Sequence, residues 1–271
     1  MKFGGDLLED RVRLDVVTTA MANAQSRGAR LVVVHGGGKE IDRALEAAGI
    51  EKRQVDGLRI TDEATLEVVV TVLAGAVNTR LVAALVAAGV PAVGLTGADA
   101  ACGLSDPAPP HRAADGRVVD LGRVGIPSDA ADLRAITTLV DDRFVPVIAC
   151  IGIGRDGRLL NVNADTLAGH LAARLGAGRL VVAGATPGVL DEGGSTIARL
   201  EPARIDHLVA NGTATAGMIA KLRACEHAIL HGVGSVVVVD GRDGAALEAA
   251  MLHEPPATAT RIATEEARSA T

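Results

Sequence analysis

The sequence predicts an α/β protein, an open αβα sandwich whose mainly parallel sheet is covered by helices on both faces. Three observations carry this prediction. Short β-branched runs alternate with Ala- and Leu-rich helical stretches along most of the chain. Those runs are apolar throughout rather than at every second residue, the pattern of strands buried on both sides. Hydrophobic residues make up 48% of the 271 positions, with a mean hydropathy of +0.30, which is ample for a core and unlike a disordered chain.

Taken in order, a helical pattern at 14–27 precedes a strand at 31–34, and a second helix follows at 39–48. A long helical pattern covers 62–88 and gives way at Gly89 to a strand at 92–95. Residues 81–98 carry no charge, which brings them near the length of a membrane span. Gly89 and Pro91 interrupt that run, so helix followed by buried strand is the better reading. The Pro-, Gly- and Asp-rich stretch 105–123, with its best strand at 117–121, reads as a hairpin or flap over one edge. Helices at 129–142, 164–175 and 217–231 then alternate with strands at 145–149, 180–183 and 235–240. Periodicity fades after Glu254, and residues from about 263 read as a tail. A boundary near 175–179 divides the chain into an N-terminal region, residues 1–176, and a C-terminal region, residues 177–271.

Composition excludes several function classes. Two Phe, no Tyr and no Trp are too few rings to stack the bases of a single strand. A formal net charge of −6 offers no basic field to gather phosphate backbones, so no nucleic-acid partner is expected. Cys102, Cys150 and Cys225 are widely spaced with no CxxC pair, which fits a reducing compartment better than a disulfide framework or zinc ribbon. The residues after Met1 are acidic and contain glycine, with no apolar signal segment. A cytoplasmic chain without a membrane partner is the expectation.

Chemistry concentrates in glycine turns and a few lysines. The strand at 31–34 runs into His35-Gly36-Gly37-Gly38 just before a helix. Such glycines let backbone N–H groups and a helix N-terminus approach an anion, although a tight turn alone also needs them. The motif is neither the P-loop nor the dinucleotide fingerprint. Lys2 precedes Gly4-Gly5, a compact charge beside backbone donors, or else an ordinary first loop. Only four of the 27 basic residues are lysine, so Lys2 and Lys221 stand out, while Lys39 and Lys52 read as surface residues. Asn161 and Asn163 share a face if their run is extended, and Asp165 falls in the next helix's first turn, as a functional carboxylate or a cap. Cys225, His227 and His231 lie on one helix, the histidines four apart as in some metal sites. They read as solvated residues near a helix end, and no metal site is assigned. His35 reads as a packing or loop-fixing residue rather than a base. The apolar stretch 66–85 offers a helix face to the core or to a second copy.

These motifs fall in a fixed order together with GLRITD at 57–62, LEVV at 66–69, VGL at 93–95, DLGRVG at 120–125, IGIG at 151–154, NVNAD at 161–165, PGVL at 187–190 and GMIAK at 217–221. In that order they resemble the amino acid kinase family, within it the branch that phosphorylates N-acetyl-L-glutamate in arginine biosynthesis. The resemblance covers nearly the whole chain.

The resemblance implies ATP as phosphoryl donor, with Mg²⁺ carried on its phosphates and no metal held by the protein itself. Lys2 and Lys221 would stabilise charge on the transferring group, and Asp165 would hold both lysines. Gly37 and Gly38 would offer N–H groups to the substrate, while Arg59 and Asn161 would bind the carboxylate and amide of the acetylated amino acid. Gly4, Gly5, Thr186, Gly188 and Gly217 would meet the nucleotide, lying over 186–190 and 214–217. Residues 1–176 would bind the acyl amino acid and pair into a homodimer, and residues 177–271 would bind ATP. The acceptor carboxylate is ionised at neutral pH, so no general base is expected.

The chain also departs from the family pattern. Met1-Lys2 stands where relatives carry a longer first strand, so either this strand is short or the start is misassigned and Lys2 lies on a mobile terminus. Gly184-Ala185 replaces a common Thr-Asp, and Ala216 and Ala259 replace customary glycines, which implies weaker nucleotide contacts. The N-terminal helix of arginine-inhibited hexamers has no counterpart, implying a dimer without arginine feedback. Two rival readings share the fold: a kinase for acetylated or carrier-linked aminoadipate in lysine biosynthesis, and a weakened ligand-binding sensor.

Overall fold

The computed structural model describes residues 1–113, 115–210, 216–252 and 255–264. The chain opens with β1 (Lys2–Phe3), α1 (Arg11–Ser26), β2 (Val33–His35) and α2 (Gly38–Ala47), then the β3–β4 hairpin (Gln54–Val55 and Leu58–Arg59). One long helix follows, made of α3 (Glu63–Val70), a π-helical stretch at Thr71–Val77 and α4 (Asn78–Ala87). Next come β5 (Ala92–Thr96), β6 (Ser105–Pro107), the β7–β8 hairpin (His111–Arg112 and Val118–Val119), β9 (Val124–Pro127) and α5 (Arg134–Asp141). Strands β10 (Val145–Ala149), β11 (Ile151–Ile153) and β12 (Leu159–Val162) lead into α6 (Ala164–Arg174). The remainder holds β13 (Arg179–Gly184), β14 (Arg199–Leu200), α7 (Ile205–Ala210), α8 (Ala216–Leu230), β15 (Ser235–Asp240), α9 (Gly244–Leu252) and β16 (Thr260–Ile262).

Eight strands form the central sheet in the order β14-β16-β15-β13-β1-β2-β10-β5. Every neighbouring pair is parallel except β15 with β16. The mainly parallel α/β architecture is therefore present as expected. The non-alternating sequences of β10 and β15 follow from burial on both faces, since only Asp240 at the end of β15 reaches half-exposure. A second sheet, β11-β12-β9-β6, and the two hairpins complete the strands.

The first strand is short but central. In β1, Lys2 lies beside Val34 of β2 and Val182 of β13, and Phe3 lies beside His35 and Ala183. The chain leaves β1 on one side for β2 and returns on the other side with β13. Open α/β sheets bind ligands beyond the carboxyl ends of the strands at such a switch point.

Several elements differ from expectation. The helix expected at 62–88 is continuous but contains the π stretch. The helix expected at 129–142 starts only at Arg134, because Asp132 in the preceding turn accepts from the Arg134 N–H at 3.0 Å and from its guanidinium at 2.6 Å. The strand expected at 117–121 shrinks to Val118–Val119, while the Ser105 end of that stretch joins the second sheet. Gly89, at φ +83°, ends α4 before β5, so the uncharged run 81–98 divides there. Among the described residues one helix, Glu63–Ala87, is long and apolar enough to cross a membrane, with 33% of its most apolar window buried. Most of the expected tail lies outside the described residues.

Candidate active site

The carboxyl end of β1 delivers a lysine into a buried ionic cluster. Lys2 Nζ lies 3.0 Å from Asp165 Oδ1, and Lys221 Nζ lies 3.2 Å from the same oxygen. All three side chains are at least 85% buried. Lys2 comes from the central strand, Asp165 from the first turn of α6 and Lys221 from α8, so three distant segments meet at one atom. Burial pushes the Asp165 carboxyl up, but Lys2 and Lys221 outweigh it and hold it below the usual carboxylate range. Burial, with repulsion from Lys2, pulls Lys221 below the usual lysine range despite Asp165. Two ammonium groups on one carboxylate leave a net positive charge, which Lys2 and Asp165 bring to the wall of a small space.

That space is a cavity of about 280 Å³ lined by Lys2, Gly4, Gly5, Gly37, Gly38, Arg59, Asn161 and Asp165, among others. The two glycine turns need glycine for contact. A Cβ on Gly5 would lie 3.0 Å from the Gly37 Cα, and one on Gly37 would lie 2.9 Å from Leu73. Gly37 caps α2 and Gly38 opens it, so their N–H groups have no acceptor within the helix.

Opposite the lysines, Arg59 and Asn161 are each fixed from behind. The Arg59 Nη2 binds Asp42, which also takes Lys52 at 2.6 Å. Burial pushes Asp42 up, but Lys52 and Arg59 outweigh it and keep it ionised. The other arm, Arg59 Nη1, is buried with no hydrogen-bond partner. A buried cationic donor left unsatisfied is costly, and an incoming carboxylate removes that cost. The buried Thr61 hydroxyl donates to Arg59 O at 3.0 Å and accepts from Asn161 Nδ2 at 3.1 Å. Asn161 therefore offers the cavity its acceptor, Oδ1.

The capping role left open for Asp165 belongs to Asn163. Its Oδ1 accepts from the N–H groups of Asp165 at 2.9 Å and Thr166 at 3.1 Å. That leaves the Asp165 carboxylate to the lysines. Lys221, Thr186, Gly188 and Gly217 are not among the residues lining the cavity; Lys221 joins it through Asp165 Oδ1. Thr186 is exposed in the turn after β13. Gly188 is packed against β16, where a Cβ would meet Thr260 Oγ1 at 2.6 Å. Gly217 is exposed one turn before Lys221, and most of the expected nucleotide loop, 211–215, lies outside the described residues. Sequence reasoning misses Thr61 and Asp42, because nothing local marks a threonine or aspartate that acts on a residue from another element. On α8, Cys225 is buried and its thiol is pushed up to about 12 by burial, while the His227 and His231 rings stack at 3.9 Å. Among the described residues no group of three or more His, Cys, Asp or Glu is placed to hold a metal.

With this geometry in view, the sequence model of the amino acid kinase family matches residues 1–240. The chain belongs to that family. Among relatives, the acetylglutamate kinase of Novosphingobium aromaticivorans is 43% identical over 251 residues, which cover 89% of this chain and 82% of the relative. The acetylglutamate kinase of Methanothermobacter thermautotrophicus is 38% identical over 250 residues, covering 89% and 85%. Among solved structures, smu.665 from Streptococcus mutans UA159 superposes with a TM-score of 0.80 at 25% identity, covering 97% of each chain. In this amino acid kinase, then, the lysine cluster and glycine turns sit at the switch point of the central sheet.

Proposed function

We propose that the chain transfers the γ-phosphoryl group of ATP to the side-chain carboxylate of N-acetyl-L-glutamate, giving the acyl phosphate of arginine biosynthesis. The observation that carries this reading is the buried Lys2–Asp165–Lys221 cluster facing Arg59 and Asn161 across one small cavity. An acceptor carboxylate oxygen bonds to the γ-phosphorus as the bond to the ADP oxygen breaks. No proton moves, which agrees with a cavity lined by Lys2 and glycine turns, with Lys221 behind Asp165, rather than by a base. Phosphoryl transfer asks for in-line placement and charge stabilisation. Lys2 and Lys221 supply positive charge, Asp165 holds their ammonium groups together, and Gly4, Gly5, Gly37 and Gly38 supply backbone donors.

At the other end, Arg59 Nη1 takes the α-carboxylate and Asn161 Oδ1 accepts the acetamido N–H. The nucleotide lies toward Thr186, Gly188 and Gly217, with aliphatic and backbone groups around the adenine, since the chain has no Tyr or Trp. Among the described residues Asp165 is the one carboxylate lining the cavity, and its Oδ1 already binds both lysines. Mg²⁺ therefore fits as an ion carried by the nucleotide phosphates, where it neutralises their charge. The acyl-amino-acid side belongs to residues 1–176 and the nucleotide side to residues 177–271. A cytoplasmic homodimer is the assembly we favour, because the long helix leaves apolar residues such as Val86 (54% exposed) uncovered.

Measuring ADP release with acetylglutamate, with acetylaminoadipate and with no acceptor tests the reading. Release that depends on acetylglutamate supports it. A preference for acetylaminoadipate, or ligand binding without acceptor-dependent release, overturns it.

A further inference from the structure

We infer that Asn78 is a positioning residue for phosphoryl transfer, acting through His35 to hold the turn at 36–38 in the shape that offers its N–H groups to the cavity. The inference rests on the phosphorylation reading and adds a residue that touches neither substrate nor phosphate.

Asn78 is a polar side chain in the core, 6% exposed, and it opens α4 directly after the π stretch. Its Nδ2 donates to Val147 O of β10 at 2.9 Å and to His35 Nε2 at 3.0 Å. A carbonyl oxygen only accepts, so Val147 fixes which end of the amide points inward. The same amide fixes the imidazole: Nε2 accepts, so the proton sits on Nδ1 and is donated to Gly36 O at 3.2 Å. His35 is fully buried, and burial pushes it down to about 4, so the ring is neutral.

The link from this chain of bonds to the cavity is the peptide plane. The Gly36 carbonyl and the Gly37 N–H belong to one trans peptide and point in opposite directions. Drawing the carbonyl toward His35 therefore sends the Gly37 N–H away from it. The long helix grips the turn a second time, with Leu73 and Val77 of the π stretch at 2.9 and 3.2 Å from where a Gly37 Cβ would stand. Space for the amide comes from Gly94 of β5, where a Cβ would collide with Asn78 Oδ1. A π-helical stretch whose Leu73 and Val77 pack on the turn, followed at once by the asparagine that holds His35, matches where such distortions recur.

Asn78→Ala releases the imidazole. Its kcat is expected to fall about tenfold, with the acceptor KM within about twofold, because a small misplacement of catalytic donors acts on the transition state. By calorimetry a non-hydrolysable ATP analogue binds about tenfold more weakly to this variant, while AMP, which lacks the transferred phosphate, binds unchanged. His35→Asn keeps a donor at the Nδ1 position and retains most of kcat, and in its background Asn78→Ala has no further effect on kcat. An Asn78→Ala protein that melts lower yet turns over and binds the analogue as the parent does overturns the inference, as does an equal loss for analogue and AMP. If the parent releases no ADP with acetylglutamate, the functional reading fails alone, and the analogue-to-AMP comparison still decides the role of Asn78.

Discussion

The acceptor side proposed for the cavity and the nucleotide side proposed beyond it form two walls that are built differently. The proposed acceptor side is tied from behind at both points, Arg59 to Asp42 and Asn161 to Thr61, while the turn at 36–38, assigned to the transferring phosphate, is tied to His35. Among the described residues of the proposed nucleotide side, the Val189 N–H donates to Thr260 Oγ1 at 2.8 Å, and Thr186 is exposed. The lysine cluster sits between them, with β1 on one flank and α8 on the other. A wall of fixed donors and acceptors discriminates sharply, because a wrong substrate leaves buried groups unpaired. An exposed turn yields more readily and discriminates less.

The largest effect belongs to the hinge between the walls. Asp165→Ala leaves two buried ammonium groups facing each other, and removing one partner of a buried ionic cluster costs about 3–5 kcal/mol. Urea unfolding is expected to show that loss, together with little residual turnover. Acid titration sharpens the point. The Asp165 carboxyl is held low in the fold, so its contribution is complete above the ordinary carboxylate pKa and is lost as pH falls through the depressed value. The variant lacks that component of acid sensitivity, and a variant as stable and acid-sensitive as the parent would refute the cluster's role.

Next in size is Lys221→Ala, expected to lower kcat by roughly 10²–10³, the scale of losing one electrostatic contact to a transition state, with circular dichroism unchanged. Burial and the Lys2 charge depress the Lys221 ammonium, so the alkaline limb of kcat/KM falls below the ordinary lysine pKa of about 10.4. A limb at or above that value argues against Lys221 as the titrating group.

Arg59→Ala probes the fixed wall alone. Losing charge-assisted hydrogen bonds to the α-carboxylate of the acceptor substrate is expected to raise its KM about 10- to 100-fold. The ATP KM stays within about twofold. A matching rise in the ATP KM would show that the walls are not separate.

What the sequence revealed follows the same division. Lys2, Asp165 and the glycine turns stand out by local pattern, a lysine beside glycines and a carboxylate in a helix's first turn, and Lys221 by the scarcity of lysine, while the roles proposed for them come from the family resemblance. The ties behind the cavity are not legible. Asp42, Thr61 and Asn78 reach their partners from other elements, and their own neighbours in sequence give no sign of it. The small strands β14 and β16 are two and three residues long, too short for any period, and α9 is apolar on nearly every face, so its pattern lacks the stripe that marks a surface helix.

The smallest effect tests the yielding wall. Thr186 is exposed, so any bond from its hydroxyl to the nucleotide competes with water and contributes about 0.5–1.5 kcal/mol. Thr186→Ala is therefore expected to raise the ATP KM by about two- to tenfold and to leave the acceptor KM untouched. An unchanged ATP KM would remove Thr186 from the nucleotide side. A raised acceptor KM would instead mean that the turn after β13 closes over both substrates, and the contrast between a fixed and a yielding wall would have to be redrawn around that turn.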